Sequence, residues 1–230
     1  MSAVNLAGRE LLVVDDVRFS RLTLVKILAG MGCETVHQAE DGQAALKLLA
    51  EHGSRIACVI SDLEMPQLDG LGLLQAIRAG TGEIPHALPF VILTGHSDFE
   101  RLGPALLLDL DAFITKPVSK AALERCLGGL LGEEASAAAR ALAPVETYRR
   151  IDLSHAFAPA AAAAVATGAG DERRVALAAL PEGAVLARDL MFSNGRLLIP
   201  AKTQLSARIV RRLNEIAAVS NLAAEAWIAD

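Results

Sequence analysis

The stretch VISDLEMPQLDG, residues 59–70, sets the carboxylate of Asp62 at the end of a short apolar run and follows it with Met65, Pro66, a second acid at Asp69 and Gly70. A continuous apolar run bounded by turn residues reads as a strand buried on both faces. Working outward, short β-rich runs lie at LLVV (11–14), ETVHQA (34–39), IACVIS (56–61), PFVILT (89–94) and AFIT (112–115), of which the first, third and fourth are continuous apolar runs. Amphipathic stretches separate or follow them: VRFSRLTLVKILAGMG, DGQAALKLLAEHG, GLGLLQAIRAG, SDFERLGPALLLDL and SKAALERCLGGLL, the first two closed by Gly. Five strands alternating with five helices predict an α/β fold, a five-stranded parallel doubly wound sheet covered on both faces.

Ligands of such open sheets bind beyond the carboxyl ends of the strands, where strand order reverses. The residues at those ends are Asp15 and Asp16 after strand 1, Asp62 after strand 3, Thr94 at the end of strand 4, and Thr115 and Lys116 before Pro117 at the end of strand 5. Three carboxylates on one rim repel each other, and Lys116 alone does not balance them. A hard divalent cation does, and Mg²⁺ characteristically uses one or two carboxylates, several waters and a phosphate oxygen. With the cation bound, Asp62 can act as a nucleophile toward a phosphoryl group, giving an aspartyl phosphate whose oxygens Lys116 and the Thr94 hydroxyl bind.

Four pieces in this order, DD at 15–16, S-D-L-x-M-P-x-x-D-G around Asp62, LTG at 93–95 and FITKPV at 113–118, resemble the receiver domain of bacterial two-component response regulators over residues 8 to 131. The resemblance implies the flavodoxin-like receiver fold and transfer of a phosphoryl group to Asp62 from a phosphohistidine of a sensor histidine kinase or phosphotransfer protein. It implies Mg²⁺ held by Asp16, Asp62 and the backbone carbonyl of Glu64, with Asp15 completing the acidic pocket through a metal-bound water. It also implies a switch in which Thr94 moves onto the phosphoryl group and Phe113 turns inward, a cis Lys116–Pro117 bond, open space at Gly95, and tuning of dephosphorylation by Glu64 and His96. The only catalysis it implies is phosphoryl transfer and self-dephosphorylation at Asp62.

Simpler roles compete at several of these positions. A lone Asp after a strand is commonly a turn or helix cap, the reading given to Asp41 and Asp98, whereas the constellation around Asp62 overrides it. Thr94 alone would be a β-branched strand residue, and Phe113 is a core aromatic as well as a switch. His96 reads as an exposed loop histidine. His155 lies in no helical-bundle pattern that would make it a phosphotransfer histidine. Gly103 and Pro104 fall inside the fourth helical pattern, where Pro removes a hydrogen bond and kinks or restarts the helix. That sets the local sequence against the dimer face of helix 4, strand 5 and helix 5 used by many receivers.

A chain of 230 residues suggests two domains, and its hydrophobic fraction of 53% excludes a disordered polymer. No apolar stretch reaches the ~20 residues that span a bilayer, and the N-terminus lacks a signal-peptide core, so the expectation is a cytoplasmic protein without membrane contact. Cys33, Cys58 and Cys126 are widely spaced, with no CxxC, and read as reduced, buried thiols. The proposed division is a receiver at 1–131, an Ala-rich linker at 132–174 whose start continues the fifth helix through about Leu142, and a small α+β module at 175–230.

In the module, AVLARDLMF and RLLIPA flank Ser-Asn-Gly, a hairpin signal. Ser206 then caps a helix with Ile209, Val210, Leu213 and Ile216 on one face, and AAEAWIA supplies a last strand carrying Trp227, giving β-β-α-β. Residues 183–217, with GAVLARD and GRLLIPA, are similar to a small module that accompanies some HD-GYP cyclic-di-GMP phosphodiesterases, although no HDxGYP motif occurs and no phosphodiesterase activity is expected. Residues 171–230 carry eight Arg and Lys against seven Asp and Glu, no strong footprint for nucleic acid, and Arg208, Arg211 and Arg212 read as a solvated helix surface. The reading is a response regulator whose module meets a downstream protein or a second copy of the chain, with no nucleic acid partner. A DNA-binding transcriptional regulator and a phosphate-sink receiver without output are the alternatives.

Overall fold

The computed structural model describes residues 4–95, 101–132, 142–151, 153, 172–220, 222 and 224–229, so His96, Asp98 and His155 lie outside the described residues. In chain order the elements are β1 (Glu10–Val14), α1 (Arg18–Ala29), β2 (Thr35–Ala39), α2 (Gly42–His52), β3 (Ile56–Asp62), α3 (Gly70–Arg78), β4 (Phe90–Thr94), α4 (Leu102–Leu107), β5 (Ala112–Thr115), α5 (Lys120–Leu131), α6 (Val145–Arg149), β6 (Glu172–Ala176), β7 (Leu190–Met191), β8 (Leu197–Ile199), α7 (Ala207–Val219) and β9 (Glu225–Ala229). They fall into two compact units, residues 1–96 with 110–150 and residues 97–109 with 151–230.

The first unit holds the expected five-stranded parallel sheet, in the order β2-β1-β3-β4-β5. Strand alternation divides its side chains between two faces. Leu11, Val13, Cys58, Ile60, Val91, Leu93, Ala112 and Ile114 pack in one core with Leu24 and Leu28 of α1 and Leu123, Leu127 and Leu131 of α5. Helices α2 and α3 bury Ala45 and Leu49, and Leu71, Leu74 and Ile77. Because β1 lies between β2 and β3, the crossovers to its two neighbours run in opposite directions, which opens a crevice beyond the carboxyl ends of β1 and β3.

Local chemistry sets the helix starts. Asp41, Asp69 and Ser119 cap α2, α3 and α5 by accepting from the backbone N–H of Ala44 at 2.8 Å, Gly72 at 2.8 Å and Ala122 at 3.2 Å. The cap expected of Asp41 is therefore found. Helix α5 ends at Leu131, where Gly132 turns extended, and the helical linker start expected through about Leu142 falls on residues 133–141, which lie outside the described residues. Within the stretch read as linker, α6 buries Tyr148, whose carbonyl accepts from Gln75 Nε2 of α3 at 3.0 Å. Cys33 and Cys58 are buried free thiols, whereas Cys126 is only half-buried.

The second unit contains the predicted β7–β8 hairpin, with Gly195 at φ +83° and the Gly195 N–H bonded to the Phe192 carbonyl at 2.9 Å. Ser206 caps α7 through the Ile209 N–H at 3.2 Å. The strand carrying Trp227, β9, pairs antiparallel with β6, a strand not anticipated. Arg188 lies over the Trp227 ring at 4.1 Å and its Nε donates to Glu172 at 2.7 Å, joining these two strands. Helix α7 corrects the reading of its arginines: Arg211 is exposed, but Arg208 and Arg212 are buried beside Ile209, Leu213 and Ile216. Arg208 Nη1 donates to the Asp109 carbonyl and Arg212 Nη1 to the Glu215 carboxylate, so these guanidinium groups find acceptors within the unit. Helix α4 accommodates Pro104 without a break in its interior. It begins at Leu102, so Pro104 falls in the first turn, where backbone N–H groups have no intrahelical partner to lose.

Candidate functional site

The crevice is built by the turns after β1, β3 and β5. Asp15 follows β1 directly and is fully buried, with Oδ1 accepting from the Val17 N–H at 2.8 Å. Asp16 is exposed. Asp62 ends β3, and its Oδ1 accepts from the Leu63 N–H at 2.8 Å. Carboxylate oxygens of Asp15, Asp16 and Asp62 lie within 4.8 Å of one another. Lys116 closes the fourth side, its Nζ 2.7 Å from Asp62 Oδ2 and 3.4 Å from Asp15 Oδ2. The four charged residues singled out in the sequence are thus brought together.

The remainder of the 59–70 stretch holds this corner in place. A Cβ on Gly70 would stand 2.3 Å from the Asp62 carbonyl oxygen, so only glycine lets the start of α3 approach so closely, and the Gly70 N–H donates to the Leu63 carbonyl at 3.0 Å. Asp69, the second acid, is a cap and no part of the cluster. Arg21 of α1 donates through Nη1 to the carbonyls of Asp15 at 2.5 Å and Asp16 at 3.3 Å, steadying the β1 turn. The sequence reasoning did not find Arg21, because its partners are backbone atoms that no side-chain motif reveals.

Thr94 is buried at the end of β4, and its hydroxyl donates to the Gly95 carbonyl at 3.2 Å. In the β4–β5 register Ile92 pairs with Phe113 and Thr94 with Thr115, which places Thr94 and Phe113 on the same sheet face. Phe113 is half-buried, not a fully buried core aromatic. The Lys116–Pro117 peptide bond is cis. Glu64 is exposed two residues beyond Asp62.

Burial pushes the Asp62 carboxyl above the usual aspartate range; Lys116 opposes the rise and Asp15 adds to it. Burial pulls the Lys116 ammonium down, but Asp62 and Asp15 outweigh it and leave its pKa raised. The pocket therefore holds more negative charge than one lysine neutralises. All the donors are hard oxygens, with no Cys or His among them, and both the buried and the exposed carboxylates suit a small divalent cation.

Comparison with known proteins decides the family. The response regulator receiver domain matches residues 11–127. The chain belongs to this family. A probable chemotaxis protein CheY of Rhizobium etli is 35% identical over 125 residues, 53% of this chain and 94% of the relative. The chemotaxis protein CheY-3 of Vibrio cholerae is 30% identical over 127 residues, covering 55% of this chain and 95% of the relative. Among solved structures, a response regulator receiver protein from Pseudomonas putida shares 30% identity, with 53% of this chain and 97% of that chain covered and a TM-score of 0.47. Residues 11–127 are thus a CheY-like receiver of two-component signalling, of a family that binds Mg²⁺ in an acidic pocket and interacts with histidine kinases or phosphotransfer proteins. Among the described residues no helix is long and apolar enough to cross a membrane.

Proposed function

We propose that the chain is a response regulator phosphorylated on Asp62 by a sensor histidine kinase or phosphotransfer protein, with Mg²⁺, and that phosphorylation switches a non-DNA-binding interaction module at residues 175–230. The observation that carries the reading is the contact of Lys116 Nζ with Asp62 Oδ2 at 2.7 Å inside the three-carboxylate cluster. An Asp62 oxygen attacks phosphorus, the P–N bond of the phosphohistidine breaks, and its electron pair returns to the imidazole nitrogen. Lys116 stays beside the added charge, and Thr94 supplies a hydroxyl to a phosphoryl oxygen. Asp16, Asp62 and the Glu64 carbonyl would hold Mg²⁺ directly, with Asp15 acting through water. The bound cation supplies positive charge to the carboxylates and the phosphoryl oxygens. Thr94 and Phe113, on one sheet face, form the proposed switch.

Two surface features support the partners. Val17, Phe19 and Leu22, immediately after the acidic pair, are exposed apolar residues, Phe19 at 79%, and suit docking of an apolar helix from the phosphoryl donor. Burial of Arg208 and Arg212 leaves Arg211 as the exposed arginine of the α7 cluster, too little basic surface for a phosphate backbone. The resemblance of GAVLARD and GRLLIPA in residues 183–217 to an accessory module supports an output through protein contacts.

The test is intact mass after incubation with acetyl phosphate and Mg²⁺. Wild type gains one phosphoryl group and Asp62→Asn gains none. Equal labelling of the variant would remove Asp62 from the mechanism.

A further inference from the structure

The family match spans residues 11–127, yet residues 97–109 belong to the compact unit formed with residues 151–230. The reason lies in α4. Leu102, Ala105 and Leu106 of α4 and Leu108 directly after it are all buried, and the helix is too short to bury them by itself. A Cβ on Gly103 would stand 2.2 Å from the Leu198 carbonyl oxygen and 3.1 Å from the Leu198 carbonyl carbon, both backbone atoms of β8. Glycine costs a helix ~1 kcal/mol relative to alanine, and here it admits a strand backbone that any side chain would push away. At the far end of α4, Asp109 takes φ +51°, which turns its carbonyl to accept from Arg208 Nη1 of α7 at 2.8 Å in a buried setting. The residue pair that departs from a regular fourth helix, Gly103-Pro104, thus has a physical cause: Pro104 fits the first turn and Gly103 receives β8.

We infer that residues 101–109 are the intramolecular docking element of the C-terminal module: hairpin β7–β8 and helix α7 take α4 as part of their own core. Because α4 is occupied in cis, it is not offered to a second copy of the chain.

Hydrogen exchange of the full chain read by mass spectrometry tests the docking. The variants are Gly103→Val, which forces the β8 backbone away, and Arg208→Gln, which removes the guanidinium without adding bulk. Each is expected to speed exchange in residues 101–109 and in residues 197–219 together, on the order of tenfold, while residues 56–78 keep wild-type protection. Loosening of 101–109 with 197–219 unchanged would overturn the docking, since the module would then fold without α4. Should Gly103→Val also expose 56–78, Arg208→Gln decides by the same two segments, and wild-type protection in both would overturn the docking.

Discussion

Asp62 sits in a position that disfavours its own charge. Burial raises its pKa, Lys116 pulls against the rise, and Asp15 reinforces it. A carboxyl whose folded-state pKa exceeds its unfolded value contributes stability that is fully present below the unfolded pKa and lost as pH rises through the folded one. In the absence of divalent cations, Asp62→Asn should therefore raise Tm at pH 7.5, and its advantage over wild type should vanish as pH falls below the ordinary aspartate range. Added Mg²⁺ should raise the wild-type Tm and leave the variant nearly unmoved, because a ligand stabilises only the state that binds it. Thermal melts at several pH values with EDTA or Mg²⁺ check both, and a variant less stable than wild type at pH 7.5 with EDTA would contradict this account of the pocket. At this scale the charged residues were legible because chemistry dictates their type: acids, an ammonium and a hydroxyl at strand ends announce a site. Arg21 was not, and neither was the burial of Arg208 and Arg212, because an arginine pattern on a helix looks the same whether its partners are water or carbonyls.

Among elements, the buried tie between α3 and β5 shows what pattern reading leaves out. Arg78 at the end of α3 is fully buried, and its Nη1 donates to the carbonyls of His86 and Leu88 at 2.8 Å each. Its Nη2 meets Asp111 Oδ2 at 2.6 Å, and the same carboxylate accepts from the Phe90 N–H at 2.8 Å. One ion pair thus fixes the end of α3, the loop before β4 and the approach to β5. Asp111→Ala should cost about 3–5 kcal/mol, read as a lower urea midpoint, by leaving a buried guanidinium without its counter-charge. Arg78→Met with Asp111→Ala should recover part of that loss, and a strictly additive double variant would contradict the coupling. The five sheet strands and α1, α2, α3 and α5 were readable from short β-rich runs alternating with amphipathic stretches, and β1, β3 and β4 from continuous apolar runs. Strand β6 was not: ERRVA shows no clean alternation, and its pairing with β9 spans an intervening segment that local sequence does not encode. Gly103-Pro104 was visible as a departure, but its cause, the β8 backbone, lies far along the chain.

For the molecule as a whole, the proposed input is phosphorylation of the receiver, and the near-neutral charge of residues 171–230 favours protein contacts as the proposed output. With α4 occupied in cis, light scattering should report the mass of one chain both with and without beryllofluoride and Mg²⁺; a doubling in wild type that Asp62→Asn abolishes would show self-association to be the output. The central claim, that Asp62 accepts the phosphoryl group, is tested most directly by locating the modification. Borohydride reduces an aspartyl phosphate to homoserine, so protein treated with acetyl phosphate and Mg²⁺, reduced and cut with trypsin, should carry the change in the peptide of residues 56–78, at Asp62 and not at Asp69. Homoserine at Asp15 or Asp16, in the peptide of residues 10–18, or at Asp69, would contradict it.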